Sequence, residues 1–111
     1  MEDRIYAWLE DITRSIDEIF EFLPEKRDFF EYKNDLKTKK AVERNIEIIG
    51  EAINRISKNN THNLEIKNAQ KIIGTRNRIA HEYDYISDEV IWTIIIRELP
   101  ELKKEIEDLK L

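Results

Sequence analysis

The stretch VERNIEIIGEAINRI, residues 42–56, decides the fold class of this 111-residue chain. Its apolar side chains recur at steps of three and four residues, which places them on one face of an α-helix. The Ser, Lys, Asn and Thr residues that follow at 57–61 are a stop signal for that helix. The stretch therefore predicts one amphipathic helix, with Gly50 tolerated inside it. The apolar positions are Val42, Ile46, Ile49, Ile53 and Ile56.

The same spacing predicts three further long helices. The first ends just before Pro24, with Asp3 as its predicted cap, and a short aromatic-rich segment follows as a brief helix or ordered loop. Ser87 caps the last helix, which Pro100 is expected to kink or split. The apolar stripes of the three helices are Ile5, Leu9, Ile12, Ile16, Ile19 and Leu23; Ile66, Ala69, Ile73, Asn77 and Ala80; and Ile91, Ile95, Leu99, Leu102, Ile106 and Leu109.

Composition narrows the fold class and the kinds of site. Two glycines and two prolines are too few for a many-stranded β fold, so an all-α, up-and-down antiparallel bundle of four main helices plus a short extra helix is predicted. We expect a single domain spanning residues 1–111. There is no cysteine, which excludes disulfides and thiolate chemistry and fits a cytoplasmic location. Neither a signal peptide nor a membrane span is predicted.

The last predicted helix carries more apolar side chains than one stripe requires. Trp92, Ile94 and Ile96 fall away from its stripe and are expected to cover a second side of that helix. A symmetric homodimer is the simplest use of such a surface.

The charge of the chain is unevenly distributed. The net charge is −5, but residues 33–78 hold 11 Lys and Arg against 5 Asp and Glu, a local balance of +6. This basic middle segment indicates either a surface that faces phosphate or simply a solvated helix face.

The stretch RNRIAHEY, residues 76–83, follows the third apolar stripe and carries the chemistry of the chain. A guanidinium such as that of Arg76 binds phosphate through a planar fork of donors, and His81 is of the type that exchanges protons near neutral pH. Asn77, four residues before His81, is placed to orient the imidazole. Arg76 and His81 are about 140° apart on a helix, so two chains meeting at this end are needed to combine them. Phosphate binding together with proton exchange suits the cleavage of RNA, whose 2′-hydroxyl is its own nucleophile. Neither a metal nor a cofactor is therefore predicted, and no spacing of His, Asp and Glu residues indicates a metal site.

The motif Arg76-x4-His81-x-Tyr83 resembles the signature of the HEPN superfamily, and of its HepT branch in particular. Residues 41–52 are similar to the helix before the motif in that family, and residues 91–102 to the segment after it. The polar stretch at 62–66 departs from the family's usual entry to the motif helix, which affects local contacts only.

The resemblance implies a dimeric, HEPN-like α-bundle that acts as a metal-independent endoribonuclease toxin, with Arg76 and His81 as its catalytic residues. It further implies a cognate MntA-like nucleotidyltransferase antitoxin, which transfers AMP to Tyr83. AMP on that phenol adds bulk and negative charge where the RNA phosphate should bind. The predicted partners are thus a second copy of the chain, the antitoxin and RNA.

Plainer interpretations of the same residues stay open. His81 is also suited to capping the end of the third helix, and Arg76 to a surface ion pair. Tyr83 is equally suited to packing at the edge of the core, and Tyr85 is a competing acceptor of AMP. His62 is expected on a loop surface. Two other functions compete with the nuclease: a non-catalytic nucleotide- or substrate-binding subunit of a nucleotidyltransferase complex, and an interaction module.

Overall fold

The computed structural model describes residues 3–59, 64–81 and 86–110, and these residues form helices and no strand. The all-α prediction is therefore confirmed, with four long helical segments and one short helix. The last long segment consists of α5, a π-helical turn and α6 in direct succession. The elements are α1 (Asp3–Phe22), α2 (Phe29–Lys33), α3 (Leu36–Lys58), α4 (Ala69–Ala80), α5 (Asp88–Thr93), the π turn (Ile94–Glu98) and α6 (Leu99–Leu109).

Side-chain caps fix where three of these helices begin. The carboxylate of Asp28 accepts the Phe30 and Glu31 amides at 2.8 and 3.2 Å, so the aromatic segment after Pro24 forms the short helix α2. Asp35 accepts the Thr38 amide at 3.1 Å, which starts α3 six residues before the first position of its apolar stripe. Ser87 accepts the Val90 amide at 3.2 Å and confirms the predicted cap of the last helix. Asp3, in contrast, lies in the first turn of α1.

The core is built mainly from isoleucine and lies between α1, α3 and the last helical segment. The apolar stripes predicted for α1 and α3 are buried, with Ile5, Ile12, Ile46 and Ile53 among the side chains at zero exposure. α1 packs along α3, and α6 packs along α1. The ring of Tyr32 from α2 closes one end of this core against Trp92, at 5.3 Å between ring centroids.

The π turn explains how Pro100 fits within the last helical segment. Proline lacks the N–H of a helical hydrogen bond and crowds the preceding turn. A π turn is wider than an α turn, and this one ends two residues before Pro100, which occupies the first turn of α6. The backbone is helical at both Ile94 and Leu99, so Pro100 does not split the segment, and a kink there stays a prediction.

The predicted second apolar side of the last helix is largely absorbed inside the chain. Ile94 and Ile95 are both fully buried, because the π turn brings two consecutive side chains into the core. Trp92 is half-buried against Tyr32, and only Ile96 is exposed, at 39%. These three residues therefore do not form a shared outer face, and the homodimer stays a prediction.

The third long helix, α4, differs from its prediction at its start and in its buried face. It begins at Ala69, not near Ile66, because Asn68 adopts a left-handed conformation (φ 64°) that does not continue a helix. Its buried residues are Ile72 and Thr75, whereas Asn77 is exposed. In the sequence, Ile72, Arg76 and Ile79 lie in a second row beside the predicted stripe, and contact with α3 buries Ile72 from this row. None of the helices in the described ranges combines the length and apolar character needed to cross a bilayer.

Candidate active site

Arg76 and Asn77 lie in the C-terminal half of α4, and His81 follows directly after that helix. Arg76 is half-buried, and the first carbons of its side chain lie against α3 at Gly50. Its Nη1 donates to Oδ1 of the neighbouring Asn77 at 2.9 Å. Its Nε is enclosed and meets no hydrogen-bond acceptor among the described residues. The Arg76 side chain thus extends from the contact between α3 and α4 to the exposed side chain of Asn77.

Asn77 connects the arginine to the end of the helix. Its side-chain oxygen accepts from Arg76, and its main-chain carbonyl accepts the His81 amide at 3.1 Å. We predicted that Asn77 orients the imidazole of His81. What the structure shows is a contact between its amide and the guanidinium, and the orienting role stays a prediction.

His81 ends α4 as its C-cap and is exposed. Its φ of −100° and ψ of 82° turn the chain out of the helix, so the imidazole is carried on the turn and not on the regular helical face. This geometry removes the fixed helical angle between Arg76 and His81 on which the sequence argument relied. Tyr83, the predicted modification site, lies outside the described residues, as do Tyr85 and His62.

Two ion pairs hold the segments on either side of the motif. Lys71 on α4 reaches Glu98 of the π turn at 2.5 Å, and the Glu98 carboxylate is buried, with Oε2 lacking a partner in the described structure. Lys39 on α3 reaches Asp88 in the first turn of α5 at 3.1 Å. The segments before and after the motif are therefore attached to other helices by ion pairs. Near the second pair, burial of the Tyr32 side chain, together with the charges of Glu43 and Asp88, raises the pKa of its hydroxyl well above its usual value.

The basic middle segment is partly neutralised by these and similar contacts. In the described part of the chain, at least five of its eleven basic residues form ion pairs with carboxylates: Lys39, Arg44, Arg55, Lys67 and Lys71. The solvated-face interpretation thus accounts for part of the segment. The pairs of Arg44, Arg55 and Lys67 are largely exposed and contribute little to stability, so these three cations are open to competition from phosphate. Lys39 and Asp88, in contrast, are both mostly buried.

A cleft at the opposite end of α4 is unsuited to phosphate. It encloses about 360 Å³ between the start of α4 and α6. Its charged lining holds four carboxylates and two lysines, so negative charge dominates. These residues are Glu98, Glu101, Glu105, Asp108, Lys67 and Lys104. Within the described ranges, no group of three or more His, Cys, Asp and Glu side chains is placed to hold a metal ion.

Comparison with known proteins now bears on this geometry. The model of the family described as Ribonuclease HepT-like matches residues 12–109. The chain belongs to this family. This match confirms the resemblance to HepT proteins that the sequence motif indicated, and it confirms that the family is one of ribonucleases. The match includes the whole of α3 and α4, and hence Arg76, Asn77 and His81.

Three relatives are similar over almost the whole chain. A protein of Thermococcus cleftensis named "Probable ribonuclease HepT" is 33% identical over 107 residues, covering 93% of each chain. Two proteins of Methanocaldococcus jannaschii, each named as a "Putative RNase", are 34% and 32% identical. Those alignments cover 93% and 95% of this chain, and 94% and 86% of the relatives. No solved structure matches the chain.

Two contacts of this HepT-like chain were missed in the sequence. One is the approach of Arg76 to Gly50, and the other is the pairing of buried Glu98 with Lys71. A glycine inside a strong helical pattern is a recognised sign of close approach by another element, and Gly50 carried that sign. The Glu98 pair had no comparable signal, because its burial depends on the π turn.

Proposed function

We propose that this chain is a metal-independent endoribonuclease toxin that acts as a homodimer. The observation that carries the proposal is the placement of Arg76 and His81 at one end of α4, in a chain that belongs to the ribonuclease HepT-like family. Arg76 supplies positive charge where the helix end itself presents carbonyls, and His81 is exposed for proton exchange.

The proposed reaction uses the nucleophile that RNA carries. The 2′-oxygen attacks the adjacent phosphorus and forms a P–O2′ bond while the P–O5′ bond breaks. One imidazole takes the proton of the 2′-hydroxyl, and a second protonates the departing 5′-oxygen. Arg76 stabilises the added negative charge on the phosphoryl oxygens. The products are a 2′,3′-cyclic phosphate and a 5′-hydroxyl.

A homodimer supplies the second imidazole in this proposal. Residues of α4 outside its contact with α3 are exposed, including Asn77, Arg78 and His81, and the space around Gly74 is open. An open helix face of this kind supports pairing of two α4 ends across a two-fold axis. The arginines and histidines of both copies then line one cleft.

Cleavage of a fluorescent RNA oligonucleotide tests the catalytic assignment. Arg76→Ala is expected to lower the cleavage rate about 100- to 1000-fold, as for loss of one transition-state donor. His81→Ala is expected to lower it about 100- to 10,000-fold, as for loss of a general acid or base. Arg14→Ala, at an exposed arginine on α1, is the matched control and should cleave like the parent. Equal cleavage by His81→Ala and the parent refutes the assignment. Binding of ATP or AMP with intact RNA would instead favour the nucleotide-binding alternative.

We further propose that an MntA-like nucleotidyltransferase silences the toxin by transferring AMP from ATP to the Tyr83 hydroxyl, with release of pyrophosphate. The support is the position of Tyr83 two residues after His81, in a chain of this family. Incubation with that transferase and ATP should add mass in multiples of AMP to the peptide containing Tyr83, with loss of RNA cleavage. Tyr83→Phe should abolish the added mass and Tyr85→Phe should keep it. Mass that persists in Tyr83→Phe rejects the assignment.

A further inference from the structure

We propose that Gly50 is a positioning residue for Arg76: its missing side chain creates the space in which the arginine stem lies across α3. The inference rests on the proposed function, in which the Arg76 guanidinium contacts the RNA phosphate. It adds a residue on a different helix from the motif.

The packing of α4 on α3 leaves no room for a side chain at Gly50. A Cβ placed there would overlap Cβ of Arg76, and it would lie 3.0 Å from Cγ of Arg76 and 3.2 Å from the Ile72 carbonyl oxygen. Two of these contacts are with the first carbons of Arg76 and the third with backbone, none of which moves as freely as the tip of a flexible side chain. Any side chain at position 50 must therefore displace Arg76 or α4.

Backbone conformation does not explain why residue 50 is glycine. Neither Gly50 nor Gly74 has a positive φ. Glycine inside a helix costs about 0.5–1 kcal/mol relative to alanine, and Gly50 lies in the middle of the 23-residue helix α3. Gly74 provides the contrast, because a Cβ there meets nothing within 4 Å. Gly50 is thus the glycine of this pair that close packing requires.

The two ends of the Arg76 side chain have different surroundings. Its Cβ and Cγ lie over Gly50, and its Nε is enclosed with no acceptor among the described residues. Its Nη1 extends to the exposed Asn77 at 2.9 Å. An arginine side chain carries about 2 kcal/mol of rotamer entropy when it is free. Contact with Gly50 restricts the stem before substrate binds and directs the guanidinium towards the end of α4, which is the preorganisation a catalytic charge needs.

A double-mutant cycle tests whether Gly50 acts through Arg76. Gly50→Ala is expected to lower kcat for RNA cleavage about 10- to 100-fold, because a displacement of about 1 Å in a catalytic group has effects of that size. In the Arg76→Gly background, which removes both the Cβ and the Cγ that the new methyl group would meet, the same change should alter cleavage less than twofold. A folded Gly50→Ala protein that cleaves like the parent overturns the inference. So does an undiminished loss in the Arg76→Gly background.

Failure of the inference is distinguishable from failure of the proposed function. If the parent does not cleave RNA, or Arg76→Ala cleaves like the parent, the proposed function fails. If Arg76→Ala is impaired and folded Gly50→Ala is not, only the positioning role fails.

Solvent exchange of the arginine Nε–H groups tests the inference without any variant at position 50. In NMR spectra of the parent, the Arg76 Nε–H should exchange at least tenfold more slowly than that of Arg14, whose side chain is 67% exposed. Arg76→Lys assigns the resonance by its loss. Equal exchange at the two arginines shows that the stem is not held and overturns the inference, even if Gly50→Ala fails to fold.

Discussion

Replacement of Ile72 by alanine should separate the stability of α4 from that of the rest of the bundle. α4 buries two residues, Ile72 at 1% exposure and Thr75 at 6%, whereas α1 buries seven. α4 also packs chiefly on α3, so its attachment depends on few side chains. Removing the largest of them should therefore loosen α4 more than it loosens any other long helix.

The expected magnitude follows from the atoms removed. Ile72→Ala deletes three carbons, and at about 0.8 kcal/mol for each buried methylene the transfer loss is about 2.4 kcal/mol. A residual cavity adds to this, so a total of about 3 kcal/mol is expected, within the range of about 2–5 kcal/mol for such changes. Ile12→Ala, at a fully buried position on α1, deletes the same atoms and is the matched control.

Hydrogen exchange read helix by helix distinguishes the two variants. In Ile72→Ala, the amides of α4 should lose protection by about 100-fold, since 1.4 kcal/mol corresponds to a factor of ten, while α1 and α3 lose less. RNA cleavage should fall in parallel at temperatures where circular dichroism shows the bundle still folded. Ile12→Ala should reduce protection throughout the molecule and keep cleavage while folded. Uniform loss of protection in Ile72→Ala would refute the reasoning that α4 is separately anchored.

Three further substitutions test other parts of the structure. Asp35→Ala should lower the melting temperature at pH 7, and its difference from the parent should shrink as the pH falls below 3.8. Hydrogen bonds from Thr38 lower the Asp35 pKa in the folded chain. The stability that Asp35 contributes is therefore present above the unfolded value of 3.8 and is lost as the pH falls through the folded value. Tyr32→Phe should leave the free energy of unfolding unchanged or raise it by up to about 1 kcal/mol, because the buried Tyr32 hydroxyl has no hydrogen-bond partner in the described structure. A loss above about 1 kcal/mol would show that the hydroxyl does form a hydrogen bond. Lys71→Ala should lower the free energy of unfolding in urea by about 1–2 kcal/mol, because it leaves the Glu98 carboxylate, which is 10% exposed, without its partner. Lys67→Ala should lower it by less than about 0.5 kcal/mol, because its partner Glu101 is 64% exposed. Equal losses would show that burial of Glu98 is immaterial.

The elements that were predictable from sequence are those whose signals lie in their own residues. The apolar stripes of α1 and α3 repeat over several turns with no competing pattern, and both are buried as predicted. The Ser87 cap was readable because a capping side chain acts on an amide only three residues away. Arg76 and His81 could be singled out because the chemistry proposed for them resides in the side chains themselves, and their catalytic roles stay predictions.

The features that sequence did not predict depend on contacts between elements. Ile72 and Ile73 are adjacent isoleucines, so only the approach of α3 decides which of them is buried. The π turn places both Ile94 and Ile95 in the core, which a fixed α-helical period cannot anticipate. The surface predicted for dimerisation from Trp92, Ile94 and Ile96 was wrong for the same reason.

The helix that carries the candidate catalytic residues is also the long helix with the fewest buried residues. A helix exposed in this way gains little from its own core, and a catalytic group must nevertheless be held in place to contribute fully. In the proposed mechanism that need is met where the stem of Arg76 rests on Gly50, and not by burial of α4 as a whole. The proposal leaves the exposed remainder of α4 for a second copy or RNA to contact. Local fixation of the arginine is thus compatible with an open helix face, which a deeply buried helix would not allow.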